Sequence, residues 1–221
     1  MIYPFVSDTT EATSLLITDD LRAWATEHYR TRTFFREEKI PTRTGLLYFV
    51  DSGFVRLESK ILSEVSSDGA DSVNTVIAFV GANQAIDLFE NDQLGFEAIA
   101  QTDRTSIFWL YWSDLELWPN LRLKVLHHLQ FQHQKQLILR SILGQKRTID
   151  QLRLYLHFLA NLYGNSSNAG RKIPFTLTHD NLAAVLGTTR VTISRLLSQL
   201  TEEGKIIVFD EQYLGVPADF N

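Results

Sequence analysis

The stretch GTTRVTISRLLSQL, residues 187–200, has the spacing of an amphipathic helix with two arginines on one side. At about 100° per residue, one arc collects the apolar side chains that we expect to be buried: Ile193, Leu196, Leu197 and Leu200. The opposite arc collects the side chains that we expect to be exposed: Arg190, Val191, Ser194, Arg195 and Ser198. The predicted helix therefore buries an aliphatic stripe and presents arginines beside small residues that allow close approach.

The residues around this helix predict a winged helix-turn-helix. The segment HDNLAAVL, residues 179–186, is typical of a first helix with Thr178 as its N-cap, and Gly187 supplies the left-handed residue that ends it. Thr189 is the expected cap of the second helix, which ends at Gly204. Two short β-rich runs follow and predict a two-stranded wing: KIIVF (205–209) and YLGV (213–216).

The N-terminal half is a series of short β-rich runs between Thr33 and about Trp112, preceded by a helical pattern over Thr18–Tyr29. The segment GLLYFVDSGFVRLESKIL contains two such runs joined by Asp51-Ser52-Gly53, a combination that signals a hairpin. Several short strands separated by turns predict a compact antiparallel barrel or jelly roll.

Between these two parts the helical period returns, and Pro119 fits a helix start. The run to Leu143 contains no further glycine or proline, and such a long helix usually packs against a partner helix. Residues 148–164 predict another helix, and GNSSNAGRK (164–172) predicts a loop or linker. The expected fold class is α+β, with three parts: a β-roll domain at 1–118, a dimerisation helix at 119–144 and a DNA-binding domain at 145–221.

Composition narrows the possible functions. The chain has 221 residues, no stretch of about 20 apolar residues and no basic, apolar leader, so we expect a cytoplasmic protein without membrane contact. It has no cysteine, which excludes disulfides, thiolate zinc sites, cysteine-ligated clusters and cysteine nucleophiles. The net charge of −5 alone argues against nucleic-acid binding, but the segment after Gly144 has eight Lys/Arg against seven Asp/Glu. An acidic N-terminal part and a near-neutral C-terminal part predict two domains with different partners.

The segment LTHDNLAAVLGTTRVTISRLLSQLTEEGKI closely resembles the Crp/Fnr family of bacterial transcription regulators, and within it the cyanobacterial global nitrogen regulators, which share the Thr-Arg-Val-Thr pattern. The resemblance extends along the chain in order. The runs YFVDSGFVRLES and VNTVIAFVGANQAIDL look like the family's cyclic-nucleotide-binding-like β-roll, Pro119–Leu143 like its dimerisation helix, and residues 148–216 like its DNA-binding domain. The resemblance implies a homodimer that binds double-stranded DNA and contacts RNA polymerase, as an activator or, depending on promoter position, as a repressor.

The resemblance also implies roles for individual residues. Base-reading positions are Arg190, Val191, Ser194 and Arg195, and phosphate contacts are Thr178, His179, Thr189 and Thr192. An arginine can donate two hydrogen bonds to guanine, and valine offers only apolar contact, for example to a thymine methyl. Members that respond to cyclic AMP carry glutamate at the position of Val191. The valine here is shared with the nitrogen regulators and implies a palindrome of the GTA…TAC type.

No effector is identified from the sequence, and no cofactor, metal or catalytic residue is predicted. The Gly-Glu and Arg-Ser pairs of cyclic-nucleotide members are absent, and Gln132 and Leu137 stand where the nitrogen regulators hold 2-oxoglutarate. Gln132, His133 and Gln136 either contact a polar effector or form a polar break that fixes the register of a coiled coil. The helix's histidines, adjacent or five residues apart, do not share a face that could hold a metal.

Two other classes of function are weighed against a DNA-binding regulator. A jelly roll is also the scaffold of cupin enzymes, but no histidine lies between Tyr29 and Leu126, and no nucleotide-binding or nucleophile motif is found. A ligand- or protein-binding sensor without DNA binding is the second alternative, and the retained arginines Arg190 and Arg195 argue against it. The sequence therefore favours a regulator that is not an enzyme.

Overall fold

The computed structural model of the chain describes residues 16–61, 74–88, 94–210 and 212–218. Their contacts form two compact units, one comprising the described residues up to His133 and the other those from Gln134 onward. Among the helices in the described ranges, none combines the length and the apolar character that crossing a membrane requires. The domain limits at 118 and 144 stay predictions.

The N-terminal unit begins with helix α1 (Asp19–Glu27), in which Thr18 accepts a hydrogen bond from the Leu21 backbone N–H at 3.3 Å. Eight strands follow: β1 (Thr31–Phe35), β2 (Lys39–Ile40), β3 (Leu46–Ser52), β4 (Phe54–Ile61), β5 (Thr75–Gly81), β6 (Gln84–Asp87), β7 (Leu94–Ala100) and β8 (Arg104–Tyr111). A 3₁₀ turn at Trp112–Glu116 leads into helix α2 (Pro119–Leu143).

The eight strands form two antiparallel four-stranded sheets, with orders β1-β8-β3-β6 and β2-β7-β4-β5. Strand β3 is buried on both faces. Tyr48 and Val50 join a core that also contains Val55 and Leu57 of the other sheet, whereas Phe49 joins a core with α1 and the start of α2. The unit is therefore a three-layer arrangement of helix, sheet and sheet, and the predicted jelly roll is confirmed.

The hairpin predicted at Asp51-Ser52-Gly53 is wrong in one respect. Strands β3 and β4 flank it as expected, but they do not pair with each other, because β3 pairs with β6 and β8 while β4 pairs with β5 and β7. Gly53, at φ +80°, forms a corner where the chain passes from one sheet to the other. A Cβ at Gly53 would lie 2.6 Å from the Arg104 carbonyl oxygen, so the corner requires glycine.

The C-terminal unit contains the end of α2 and the remaining elements of the chain. These are α3 (Thr148–Tyr163), β9 (Asn165–Ser167), β10 (Gly170–Lys172), α4 (His179–Leu186), α5 (Arg190–Glu202), β11 (Ile207–Phe209) and β12 (Tyr213–Pro217). Helix α3 packs on both α4 and α5. The core beneath these helices is aliphatic and aromatic, and its members include Leu152, Leu156, Phe175, Leu182, Ile193 and Leu197.

The predicted linker GNSSNAGRK is in fact a hairpin, and the wing has four strands with the order β11-β12-β10-β9. Strand β10 pairs with β12, placing Gly170 opposite Pro217. Gly170 has φ +151°, and a Cβ there would lie 2.1 Å from the Val216 carbonyl oxygen, so only glycine permits this approach. The strands were missed because Asn165–Ser167 is polar and exposed, so it lacks the apolar alternation of a strand and is recognised by its pairing with β10.

One charged side chain, Lys135 of α2, is buried in this unit. Its Nζ lies 3.4 Å from the hydroxyl oxygen of Tyr163, at the end of α3. Burial lowers the pKa of Lys135 from 10.5 to about 7, since the ammonium loses its hydration.

We expect the free energy of unfolding to depend on this lysine above pH 7. Between about pH 7 and 10 the unfolded chain carries the Lys135 proton and the folded chain does not, so stability rises with pH, by at most about 1.4 kcal/mol per pH unit. Replacement by Lys135→Met is expected to remove this rise and to stabilise the protein at pH 7. Urea denaturation followed by circular dichroism at pH 7, 8 and 9 measures the free energy of unfolding of both proteins.

The exposed residue Lys146 supplies the control, because Lys146→Met removes the same charge from solvent. Its stability should follow the pH dependence of the wild type. If the stability of wild type and of Lys135→Met changed with pH in the same way, Lys135 would not be the source of the pH dependence.

Candidate nucleic-acid interface

Helix α4 has a side-chain cap at its N-terminus and a left-handed glycine at its C-terminus, where the turn to α5 begins. The Thr178 hydroxyl accepts from the Asn181 backbone N–H at 3.0 Å, and the Asn181 carboxamide oxygen accepts from the Thr178 N–H at 3.2 Å. Gly187 ends α4 at φ 61° and ψ 39°. A Cβ at this position would have no atom within 4 Å, so the left-handed conformation, and not a steric clash, favours glycine. The predicted cap and the predicted C-terminal glycine are both confirmed.

Helix α5 has the orientation that the sequence predicts. The four residues of its apolar arc are all buried: Ile193, Leu196, Leu197 and Leu200. The five residues of the opposite arc are all exposed: Arg190, Val191, Ser194, Arg195 and Ser198. Val191 is the extreme case, with 79% of its surface accessible. An apolar side chain this exposed on a rigid helix is available to a partner molecule.

The two guanidinium groups of α5 are available for intermolecular hydrogen bonds. Among the residues that the structure describes, neither Arg190 nor Arg195 forms an ion pair or a side-chain hydrogen bond. Each guanidinium presents up to five N–H donors in a planar fork. Because a surface arginine is charged at all ordinary pH values, the face is a pair of fixed positive charges flanking small side chains.

The cap of α5 limits which hydroxyl can reach a phosphate. The Thr189 hydroxyl oxygen accepts from the Thr192 backbone N–H at 3.2 Å and lies 2.9 Å from the Thr192 hydroxyl oxygen. One of the two hydroxyls donates to the other, so the pair has one hydroxyl proton left for an external acceptor. The predicted phosphate contacts at Thr189 and Thr192 therefore act as one donor group at the N-terminus of α5.

Two clefts flank α5. The cleft on the wing side has a volume of about 440 Å³, and its polar lining includes His179, Ser194, Ser198 and Gln212. The cleft on the other side, about 370 Å³, lies between α5 and the start of α3, and its polar lining is Arg147, Thr148, Thr192, Arg195 and Gln199. The exposed face of α5 is therefore bordered by polar side chains on both sides.

Arg147 and Thr148 were not predicted as site residues, although they line the cleft that contains Arg195. They are far from α5 in sequence, and only folding brings the start of α3 beside it. The adjacent basic residue Lys146 makes a doublet with Arg147, which was the available sequence signal. Arg147 also lies 3.6 Å from the Asp150 carboxylate, in an exposed pair of small energetic value.

The polar residues singled out on α2 lie in different environments. The Gln132 amide nitrogen is 2.9 Å from His128 Nε2, and the Ala85 backbone N–H donates to the same nitrogen at 3.1 Å. The Ala85 N–H thus engages the single lone pair of His128 Nε2, and the Gln132 amide lies beside the same nitrogen. His133 is exposed and Gln136 half-buried. Their predicted role in an effector site or in a dimer seam stays a prediction.

Comparison with known proteins agrees with this geometry. Residues 154–214 match the Crp-like helix-turn-helix domain, so the C-terminal part of the chain is a domain of that class. A stretch of 100 residues is 30% identical to ycf28 of Porphyra purpurea, an HTH-type transcriptional regulator by name, and covers 42% of each chain.

Solved structures extend the likeness over the whole fold. A CooA mutant from Carboxydothermus hydrogenoformans superposes with a TM-score of 0.68 at 19% identity, covering 95% of this chain and 92% of that one. TTHB099, a CRP-family regulator from Thermus thermophilus, gives 0.65 at 20%, with 84% and 91% covered. FixK2 from Bradyrhizobium japonicum gives 0.66 at 19%, with 84% and 91% covered. The resemblance to Crp/Fnr regulators is confirmed for the domain and the fold, and the cyanobacterial subgroup stays a prediction.

Proposed function

We propose that the protein is a homodimeric, sequence-specific transcription regulator that reads a palindromic site of the GTA…TAC type with α5. The observation that supports this most strongly is the exposed face of α5, where the guanidinium groups of Arg190 and Arg195 have no partner among the described residues while the opposite face is buried in the core. Regulation would proceed through contact with RNA polymerase, as the family resemblance implies.

The order of side chains along α5 fits a major groove. Arg190 lies in the first turn and Arg195 little more than one turn later, so each can reach the edge of a different base pair. Arginine pairs with guanine through O6 and N7, whereas Val191 can contact a thymine methyl and Ser194 can donate or accept. The face therefore offers an arginine for the guanine of a GTA half-site and an apolar contact for its thymine methyl, and the second arginine can bind a neighbouring base edge or phosphate.

Phosphate contacts would come from both sides of α5. The hydroxyl pair of Thr189 and Thr192 stands at the N-terminus of the helix, where the helix dipole favours an anion. On the wing side, His179 and Thr178 stand at the start of α4. The net charge of −5 lets few phosphates be neutralised, so we expect weak non-specific binding and a shallow salt dependence.

The dimer would form along α2. Leu123, Leu126 and Leu137 expose 56%, 53% and 48% of their surface. Their spacing along the helix is that of the a and d positions of a heptad, so they share one face. Between them the seam contains Gln130 and His133, a polar break suited to fixing the register of two identical helices. Two-fold symmetry of such a pair matches the symmetry of a palindrome.

We expect Arg190→Ala to weaken binding to the selected site about 10- to 100-fold, because one bidentate contact to guanine is lost. The loss should fall on the cognate site and be small on random DNA. Arg171, exposed on β10, supplies the control, and Arg171→Ala should leave sequence preference unchanged. Fluorescence anisotropy with the cognate site and with random DNA measures the two affinities. Equal weakening of both DNAs by Arg190→Ala would contradict direct readout.

Replacement of Val191 tests the predicted half-site. Glutamate at this position can accept from cytosine N4, so Val191→Glu should enrich a G·C pair at the base pair that Val191 faces. The side chain is exposed and in the first turn of α5, where a carboxylate is favourable, so folding should be unaffected. Site selection from random DNA should return GTA…TAC for the wild type. A wild type that selects TGTGA half-sites would overturn the proposal.

The dimer seam is tested by Leu126→Lys, which places a charge on the proposed contact face. We expect the dissociation constant of the dimer to rise at least tenfold, as measured by analytical ultracentrifugation, since a buried ammonium without a partner is costly. Leu117, exposed but outside α2, supplies the matched control Leu117→Lys. A dimer that tolerates Leu126→Lys as well as it tolerates Leu117→Lys must use another surface.

A further inference from the structure

We propose that Gln151 is a positioning residue that sets the spacing between the two half-sites, by tying the end of α2 to the start of α3. The proposal rests on the proposed function above, that of a dimer reading a palindrome. Its basis is the hydrogen bonding at the corner between these two helices, which lies wholly within the C-terminal unit.

The C-terminus of α2 is capped at every carbonyl. A helix ends with four carbonyls that lack partners within it. Here the Arg140 oxygen accepts from the Gly144 N–H at 2.9 Å, and the Ile142 oxygen accepts from the Gln145 N–H at 3.1 Å. The Ser141 oxygen accepts from the Gln145 side chain at 3.1 Å. The Leu143 oxygen accepts from the side-chain amide of Gln151, at 2.9 Å, and Gln151 belongs to the next helix.

Both N–H donors of the Gln151 side chain are used at this corner. Its nitrogen also donates to the Gln145 carbonyl oxygen, at 2.8 Å. A carboxamide nitrogen has two N–H donors, and both are directed at the segment that connects α2 to α3. Gln151 therefore links α3 to the last residue of α2 and to the connection between them, and it does so through bonds of definite direction.

The angle at this corner is transmitted to the DNA-reading face. Helix α3 packs on α4 and on α5, and the three helices belong to one compact unit. Residues 134–143 of α2 belong to the same compact unit, and Lys135 contacts the Tyr163 hydroxyl at the far end of α3. In a dimer joined along α2, the direction of α3 relative to α2 determines where each α5 stands. The Gln151 hydrogen bonds join α2 and α3 at the corner, and the contact between Lys135 and Tyr163 joins the two helices at the far end of α3.

The length of the spacer between the two half-sites is a sensitive measure of the angle between α2 and α3. One base pair adds about 3.4 Å and about 34° of rotation between half-sites, since a turn is 34–36 Å and 10–10.5 base pairs. A dimer with a rigid corner fits one spacer length well. If the corner can pivot, a spacer one base pair longer or shorter costs less, while contacts within each half-site are unchanged. Gln151 should therefore govern selectivity for spacing rather than for base sequence.

Gln145 provides a matched control at the same helix end. Its side chain also donates from a carboxamide to a carbonyl of α2, but the contact, to Ser141, stays within the end of α2 and its own connection. Gln145→Leu removes a cap without removing a link to α3, whereas Gln151→Leu removes the link. Gln151→Glu is a second variant of the same shape, which keeps the acceptor and loses both donors.

The experiment uses the full chain and a series of DNAs that hold the selected half-sites constant and change the spacer by −2 to +2 base pairs. We expect the wild type and Gln145→Leu to discriminate sharply in favour of one spacer. Gln151→Leu and Gln151→Glu should reduce the discrimination against one-base-pair changes about three- to tenfold, with the base preference within each half-site retained. Thermal denaturation checks that each variant is folded.

The outcomes separate the two proposals. Wild-type discrimination retained in folded Gln151 variants overturns the role of Gln151, as does an equal loss in Gln145→Leu, which would reduce it to helix capping. A wild type that binds no site sequence-specifically overturns the proposed function, and the spacing proposal falls with it. A wild type that binds specifically but tolerates all spacers overturns the spacing proposal alone.

Discussion

The burial of one aliphatic stripe on α5 is the constraint on which the rest of the C-terminal unit depends. Ile193, Leu196, Leu197 and Leu200 each remove most of their surface from water, a gain of about 1.5–3 kcal/mol per side chain. Turning α5 by a single residue would expose part of this stripe and push Arg190 or Arg195 towards the core, where an unpaired guanidinium is costly. The outward direction of the arginines is thus enforced by the leucines, at no cost to the arginines' own hydrogen-bonding capacity.

The N-terminal unit follows a different principle, in which a sheet rather than a helix is enclosed. Strand β3 contributes alternate side chains to two cores, so Phe49 stacks on Phe108 at 4.9 Å in one layer while Tyr48 and Val50 pack in the other. A strand covered on both faces has little freedom to shift its register, because a slip by one residue would exchange the two cores. The sheet is therefore a fixed platform against which α1 and the beginning of α2 pack.

Local signals predicted most of the elements, and non-local pairing accounts for what they missed. The caps at Thr178 and Thr189, the left-handed Gly187 and the helical stripe are all properties of a few neighbouring residues, so the sequence specifies them directly. The corner at Gly53 and the hairpin inside 164–172 are different, because glycine and polar residues mark a turn without indicating which strand the chain will pair with next. For the same reason Arg147 could not be placed beside Arg195 before the fold was known.

The four-stranded wing has a bearing on how the protein behaves at high concentration. Its edge strands, β9 and β11, are each only three residues long, and β9 is polar and exposed throughout. Edges this short offer few unpaired backbone groups in a row for another chain to extend. A sheet bounded in this way resists edge-to-edge aggregation, which leaves the wing able to stand beside a ligand in solution without recruiting copies of itself through its strands.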